Sequence, residues 1–268
     1  MKIGLISCSN PLWEGRRSSV EALVCCLRAH GIEVCTEGVF YEMRTGKERA
    51  EALRRLYRDV SVTHICDISG GDLSNHVLGY LDYETIQKNP KPFWGYSDLT
   101  AVLNGIFAKT GNEGMLYNII HLVGEDGELQ QERFFSYLNG KDSLVQPEIR
   151  MLQGEALKNE PFFGGNIRCF LKLAGTEYFP EVRGKQLFLE SRSGSYEFLT
   201  ACLYQLKQMG VFERITGLLL GTFSQLDREW GPQEIEKMVM EIVDDPTLPI
   251  GRTMEVGHGS DSKAVRIG

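Results

Sequence analysis

The sequence predicts an α/β fold, and three observations carry that prediction. Short apolar runs bounded by turn residues alternate with segments of helical period along most of the chain. The first run leads through a helix into a second run, the opening of a β-α-β unit. The length of 268 residues, with 42% hydrophobic and 24% charged residues, is that of a globular protein with one large domain or two modest ones.

The elements follow in order. Lys2 to Ser7 reads as a buried strand, and Arg17 to His30 sets Val20, Leu23, Val24 and Leu27 at helical spacing before Gly31 closes the helix. Ile32 to Cys35 is a second short strand and Gly46 to Asp59 a second helix. Thr63 to Ile68 is a third strand, which runs out into Ser69-Gly70-Gly71-Asp72. A helix near Ser74 to Leu81, the strand Pro92 to Tyr96 and a helix from Ser97 to Lys109 continue the alternation. From about Gly124 to Glu160 the pattern turns polar and irregular, with Gly127, Gly140, Pro147 and Gly154, as at a domain junction. Beyond it come Gly164-Gly165-Asn166 with a short helix, the strand Lys185 to Glu190 and the helix Tyr196 to Met209. The strand Ile215 to Thr222, the helix Gly231 to Val243 and a strand near Pro249 to Glu255 complete the chain. These segments predict a larger amino-terminal α/β domain over 1–140, a linker over 141–163 and a smaller α/β domain over 164–268.

Composition narrows the function. The net charge of −7, from 29 basic and 36 acidic residues, gives no electrostatic reason to expect nucleic acid or an anionic membrane as partner. No run of about 18 apolar residues occurs, and Ile3 to Ile6 is too short for a signal-peptide core. The seven cysteines are odd in number and lack Cys-x-x-Cys spacing, which predicts a reduced, cytoplasmic chain. There is no His-x-x-x-His, no dense carboxylate cluster, no phosphate-loop lysine and no Gly-x-Gly-x-x-Gly, so neither a metal nor a cofactor is expected.

The most informative stretch is Gly95-Tyr96-Ser97-Asp98, where a serine stands at a junction of strand and helix. A tight turn there pushes the side chain outward and aims free helix N–H groups at whatever binds beside it. A plain helix cap is the competing use of Ser97. A nucleophilic serine needs a base, and the base needs an acceptor to orient it. Of the five histidines, His258 stands apart, between Gly257 and Gly259 just past a strand end. Glu190 closes the apolar strand Leu187-Phe188-Leu189, where open α/β sheets present ligand-facing groups. Gly70-Gly71 follows a strand and is placed to offer an N–H to an oxyanion, with a simple tight turn as the alternative. Leu99 occupies the last position of a Gly-x-Ser-x-Gly elbow, which separates this chain from the α/β-hydrolases.

Taken together, Gly70-Gly71-Asp72-Leu73-Ser74-Asn75, Leu81-Asp82-Tyr83, Asn89-Pro90-Lys91-Pro92, Gly95-Tyr96-Ser97-Asp98 and Lys109-Thr110-Gly111 resemble the LD-carboxypeptidase family of serine peptidases, which includes the microcin C self-immunity proteins. The resemblance continues through Gly164-Gly165-Asn166, Leu187 to Glu190, Gly210-Val211-Phe212, Gly217 to Gly221 and Gly257-His258-Gly259. It implies a Rossmann-like amino-terminal domain with a mostly parallel sheet, a smaller carboxy-terminal α/β domain and a site between them. It implies Ser97 as nucleophile, His258 as general base, Glu190 as its orienting carboxylate, and an oxyanion hole from the N–H groups of Gly71 and Asp98. The expected activity is a cytoplasmic, cofactor-free serine carboxypeptidase acting on a small peptide or muropeptide through an acyl-enzyme. The expected partners are that substrate and a second copy in a homodimer, with no nucleic acid and no membrane. Alternatives are an immunity-type hydrolase of peptide–nucleotide conjugates and a homologue that binds peptide without turnover. Tyr117-Asn118-Ile119-Ile120-His121 stands where the family commonly has His-Gly-Pro, and Ser191 where an acidic residue is usual. The segment before Gly164 is short and lacks Trp, which argues against nucleotide stacking.

Overall fold

Strands sandwiched between helices must be apolar on both faces, and the first strand meets that demand. In β1 (Lys2–Ile6), Ile3 and Leu5 are buried toward one face and Ile6 toward the other. The computed structural model describes residues 1–38 and 40–268. After β1 come α1 (Arg17–Ala29), β2 (Glu33–Thr36), α2 (Gly46–Arg58), β3 (His64–Asp67), α3 (Tyr83–Lys88), β4 (Phe93–Gly95), α4 (Thr100–Thr110) and β5 (Gly114–Leu116). The strands pair in parallel in the order β2-β1-β3-β4-β5. Val20, Leu23 and Leu27 of α1 cover one face with Ile3, Leu5 and Trp94. Leu53, Leu56 and Tyr57 of α2, with Val102 and Leu103 of α4, cover the other.

The stretch that reads as irregular holds α5 (Gly127–Leu138) and β6 (Arg150–Gln153). The inward face of α5 carries Gly127, Gln130 and Phe134, and the fully buried Gln130 breaks the apolar period by which a helix is recognised. The second half contains β7 (Phe162–Asn166), α6 (Ile167–Leu171), β8 (Gln186–Ser191), α7 (Tyr196–Gln208), β9 (Gly217–Phe223), α8 (Ser224–Glu229), α9 (Pro232–Val243) and β10 (Ile250–Arg252). Strands β7 to β10 pair in parallel, and β6 runs antiparallel along the outer edge of β10. Residues 74–80 form a 3-10 helix rather than an α-helix, and a 3-10 turn over 97–99 precedes α4.

The two α/β domains meet in one sheet. β11 (Val265–Ile267) lies antiparallel to β5 and parallel to β7, closing the order β2-β1-β3-β4-β5-β11-β7-β8-β9-β10-β6. A second clasp joins α4 to β7. Asn104 Nδ2 donates to Gly164 O and Gly164 N donates to Asn104 Oδ1, each at 2.8 Å, and Asn166 N donates to Thr100 Oγ1 at 3.0 Å. Gly165, at φ +130°, permits this approach, because a Cβ there would sit 2.6 Å from Thr100 Oγ1.

Candidate active site

Ser97 sits two residues past the end of β4 at φ +56°, one of two non-glycine residues with positive φ among those described. A side chain held in the left-handed region costs about 1–3 kcal/mol and persists where the surroundings over-determine it. The turn ends in the 3-10 segment Ser97–Leu99, whose Leu99 is buried, and passes into α4, whose Ala101 and Val102 are buried. The hydroxyl is therefore presented at the carboxyl end of the sheet, facing a cleft of about 250 Å³ lined also by Gly70, Gly71, Tyr96, Arg192 and His258.

Glu190, in β8, is fully buried and His258 nearly so. His258 Nδ1 lies 2.8 Å from Glu190 Oε2, and Asn166 Nδ2 donates to Glu190 Oε1 at 3.0 Å. Both carboxylate oxygens are thus engaged. His258 Nε2 has no protein partner and is turned away from Glu190. The imidazole edge packs on the Tyr96 ring, centroids 4.9 Å apart at 65°. Burial, with the charge of Glu190, drives the Tyr96 phenol well above its ordinary pKa, so it stays neutral beside the pair. The loop that carries His258 is held from α5: Gln130 Nε2 donates to Ser260 O at 2.8 Å and to Ser262 O at 2.9 Å, and Arg133 Nη1 donates to Asp261 O at 2.6 Å. Tyr117 belongs to this brace, its hydroxyl donating to Gln130 Oε1 at 2.9 Å.

Gly71 adopts φ +120° and borders the cleft, and a Cβ there would meet Asn10 Cγ at 2.3 Å. Asn10 ties that loop down: its N–H donates to Gly70 O at 3.1 Å and its Oδ1 accepts from Asp72 N at 2.9 Å. Asp98 follows the serine, and its side chain is fully buried. It accepts from Ser9 Oγ at 2.5 Å, Ser74 N at 2.8 Å and Lys172 Nζ at 2.5 Å. Burial by itself raises a carboxyl pKa; here the Lys172 ammonium, the Ser9 hydroxyl and the Ser74 amide outweigh it and hold Asp98 below the usual range. Lys172 also donates to Asp72 O at 2.9 Å. It stands one residue past α6, so a cation of the second domain grips both the serine turn and the glycine loop of the first.

Ser97, Gly71 and His258 thus border one cleft with Glu190 behind the imidazole, while Asp98 directs its carboxylate into the protein interior. Sequence reasoning gave no role to Asn166, although it lies in the Gly-Gly-Asn motif, and no role to Lys172, Arg16 or Arg192. The two arginines are exposed, border the cleft and have no carboxylate partner among the described residues. Among the described residues no helix is long and apolar enough to cross a membrane.

Comparison with known proteins bears on the whole chain. Residues 3–117 match the family model for the LD-carboxypeptidase N-terminal domain and residues 161–268 the model for the LD-carboxypeptidase C-terminal domain. The chain is 29% identical to the microcin C7 self-immunity protein MccF of Escherichia coli, covering 82% of this chain and 73% of that protein. It is 24% identical to the murein tetrapeptide carboxypeptidase of Pseudomonas aeruginosa over 91% of this chain and 85% of that one. The structure of MccF in complex with glutamyl sulfamoyl guanosine superposes with a TM-score of 0.83 at 26% identity, covering all of this chain and 91% of that one. MccF is also solved with aspartyl sulfamoyl adenosine and, as a mutant, with adenosine monophosphate. These complexes overturn the expectation of a small peptide or muropeptide partner and no nucleic acid: MccF, which shares this fold, is bound to nucleotide-type ligands.

Proposed function

Since the chain belongs to the LD-carboxypeptidase family and shares its hydrolase fold, we propose that it is a serine hydrolase that cleaves the acyl–nitrogen bond of an aminoacyl or peptidyl conjugate whose leaving group carries a nucleotide. The observation that carries the reading is the 2.8 Å contact between His258 Nδ1 and Glu190, which leaves Nε2 without a protein partner on a residue that borders the same cleft as Ser97. Ser97 Oγ attacks the carbonyl carbon while His258 Nε2 takes its proton, and Glu190 fixes the tautomer and stabilises the imidazolium. The N–H groups of Gly71 and Asp98 receive the oxyanion. His258 then returns the proton to the departing nitrogen. Water, deprotonated by the same imidazole, releases the acyl group from Ser97.

Lys172 acts in this scheme as a positioning residue: it holds Asp98 and Asp72 together, and so sets the spacing of the two oxyanion donors. Arg16 and Arg192 at the cleft mouth suit the anionic phosphoryl or sulfamoyl group of such a conjugate. All seven cysteines are free, which suits a reducing cytoplasm. The test is direct. The protein is expected to release adenosine sulfamate from an aminoacyl sulfamoyl adenosine and to be labelled at Ser97 by a fluorophosphonate. Cleavage of a muropeptide tetrapeptide alone would return the substrate to the carboxypeptidase class, and nucleotide binding without labelling would make the chain a silent homologue.

A further inference from the structure

A second concave surface lies away from the Ser97 cleft and shares no lining residue with it. It is a groove of about 400 Å³ between α2 and the chain that follows β2, bordered by Ser7, Gly38, Lys47, Arg49 and Ala52, by Arg44 and Arg55, and by Glu37, Glu48 and Glu51, each of which is paired with an arginine. The pairs account for the acids. Glu37 holds Arg55 at 2.8 Å, Glu48 holds Arg44 at 3.3 Å and Glu51 holds Arg54 at 2.6 Å. Two cations are left over. Lys47 is exposed and has no carboxylate partner among the described residues. Arg49 is the more telling: it is only 5% exposed, and its one contact of hydrogen-bond length among the described residues is Nη2 to the Met43 thioether at 3.8 Å.

A guanidinium carries five donors and a fixed charge, and those of Arg49 meet no oxygen at hydrogen-bond distance among the described residues. A thioether is a weak acceptor. Beside Arg49, Arg44 Nε is buried without a partner among the described residues, and Ser7, one residue past the carboxyl end of β1, borders the groove. The carboxyl ends of strands beside a reversal in strand order are where open α/β sheets bind ligands, and the order β2-β1-β3 reverses here.

We propose that this groove is a second ligand site, for a small anion of the phosphate class, held by Arg49 and Lys47 with the Ser7 hydroxyl as a further donor. Two cations without a carboxylate partner among the described residues match a dianion, and the planar fork of Arg49 matches two phosphoryl oxygens. The proposal is independent of the reaction at Ser97.

Titration of the full chain with inorganic phosphate, glycerol 3-phosphate and glycerol at constant ionic strength, followed by calorimetry and thermal unfolding, tests it. Both phosphates are expected to bind and to raise the melting temperature, and glycerol to do neither. Arg49→Met is expected to weaken phosphate binding by about tenfold or more. Lys47→Ala, at an exposed position that folding does not need, is expected to weaken binding as well and serves if Arg49→Met does not fold. An Arg16→Ala/Arg192→Ala double variant, stripped of the cleft's own cations, keeps the affinity. Glycerol 3-phosphate binding more tightly than inorganic phosphate marks a site for phosphate monoesters, and equal binding marks one for the bare group. No binding of either phosphate, full affinity in Lys47→Ala, or loss of affinity in the double variant overturns the proposal.

Discussion

Two carboxylates with no exposure flank the cleft, one from each domain, and they do different work. Asp98, beside Ser97, accepts from a hydroxyl, a backbone amide and an ammonium. Glu190, behind His258, accepts from one amide and one imidazole, and that imidazole keeps its second nitrogen bare. The first fixes backbone; the second orients a ring that can gain or lose a proton. The difference teaches that burial of an acid says little until its partners are named. A carboxylate facing fixed donors is scaffolding, and one facing a titratable group prepares chemistry.

Perturbing each side in turn tests this contrast. The largest effect belongs to the hydroxyl both sides serve: Ser97→Ala is expected to lower kcat about 10⁴-fold or more while the protein folds normally, as read by steady-state kinetics and circular dichroism. Glu190→Gln comes next. An amide there sets a donor against His258 Nδ1 or Asn166 Nδ2, favours the tautomer with its proton on Nε2, and removes the base; a loss of about 10³–10⁴-fold in kcat is expected. Lys172→Met strikes the scaffolding side. It leaves Asp98 buried with one partner fewer, and kcat is expected to fall about 10–100-fold with KM changed less than about twofold. Lys172→Arg should restore much of the loss, whereas equal defects in Met and Arg variants would reduce Lys172 to a structural contact.

The smallest effect is a pH dependence of stability. Burial, with the charge of His258, pushes His121 down to about 4. The unfolded chain therefore holds more protons at this group than the folded one between about pH 6.5 and 4, so its contribution to stability falls as pH drops through that window. His121→Gln is expected to flatten that part of a melting-temperature profile, measured by calorimetry. An unchanged slope would assign the dependence to other groups.

How much of this the sequence discloses depends on how local each signal is. The strand ends bearing Gly71, Ser97 and Glu190 and the loop carrying His258 are legible, because glycine-rich turns after apolar runs are short-range patterns. The three-residue strands β5 and β11 are too short to show a period of two. Helix α5, which braces the His258 loop, is hidden by the polar Gln130 on its inward face. The roles of Asn166 and Lys172 depend on partners 24 and 74 residues away, so no window along the chain reveals them. The peptide–nucleotide reading stands second among the readings of the sequence because the segment before Gly164 is short and lacks Trp, whereas the whole-chain likeness to MccF speaks for it.

β11 has a mechanical meaning. Because β11 pairs with β5 over Val265–Ile267 and with β7 at Ile267, the two halves share one continuous strip of sheet. Such a strip resists bending at one point but yields to gentle torsion, so the gap between hydroxyl and ring is governed by the propeller angle of the sheet as a whole. Substitutions that alter the stagger of β5, β11 or β7 would then detune the reaction from a distance, as a slipped fret changes the pitch of a string.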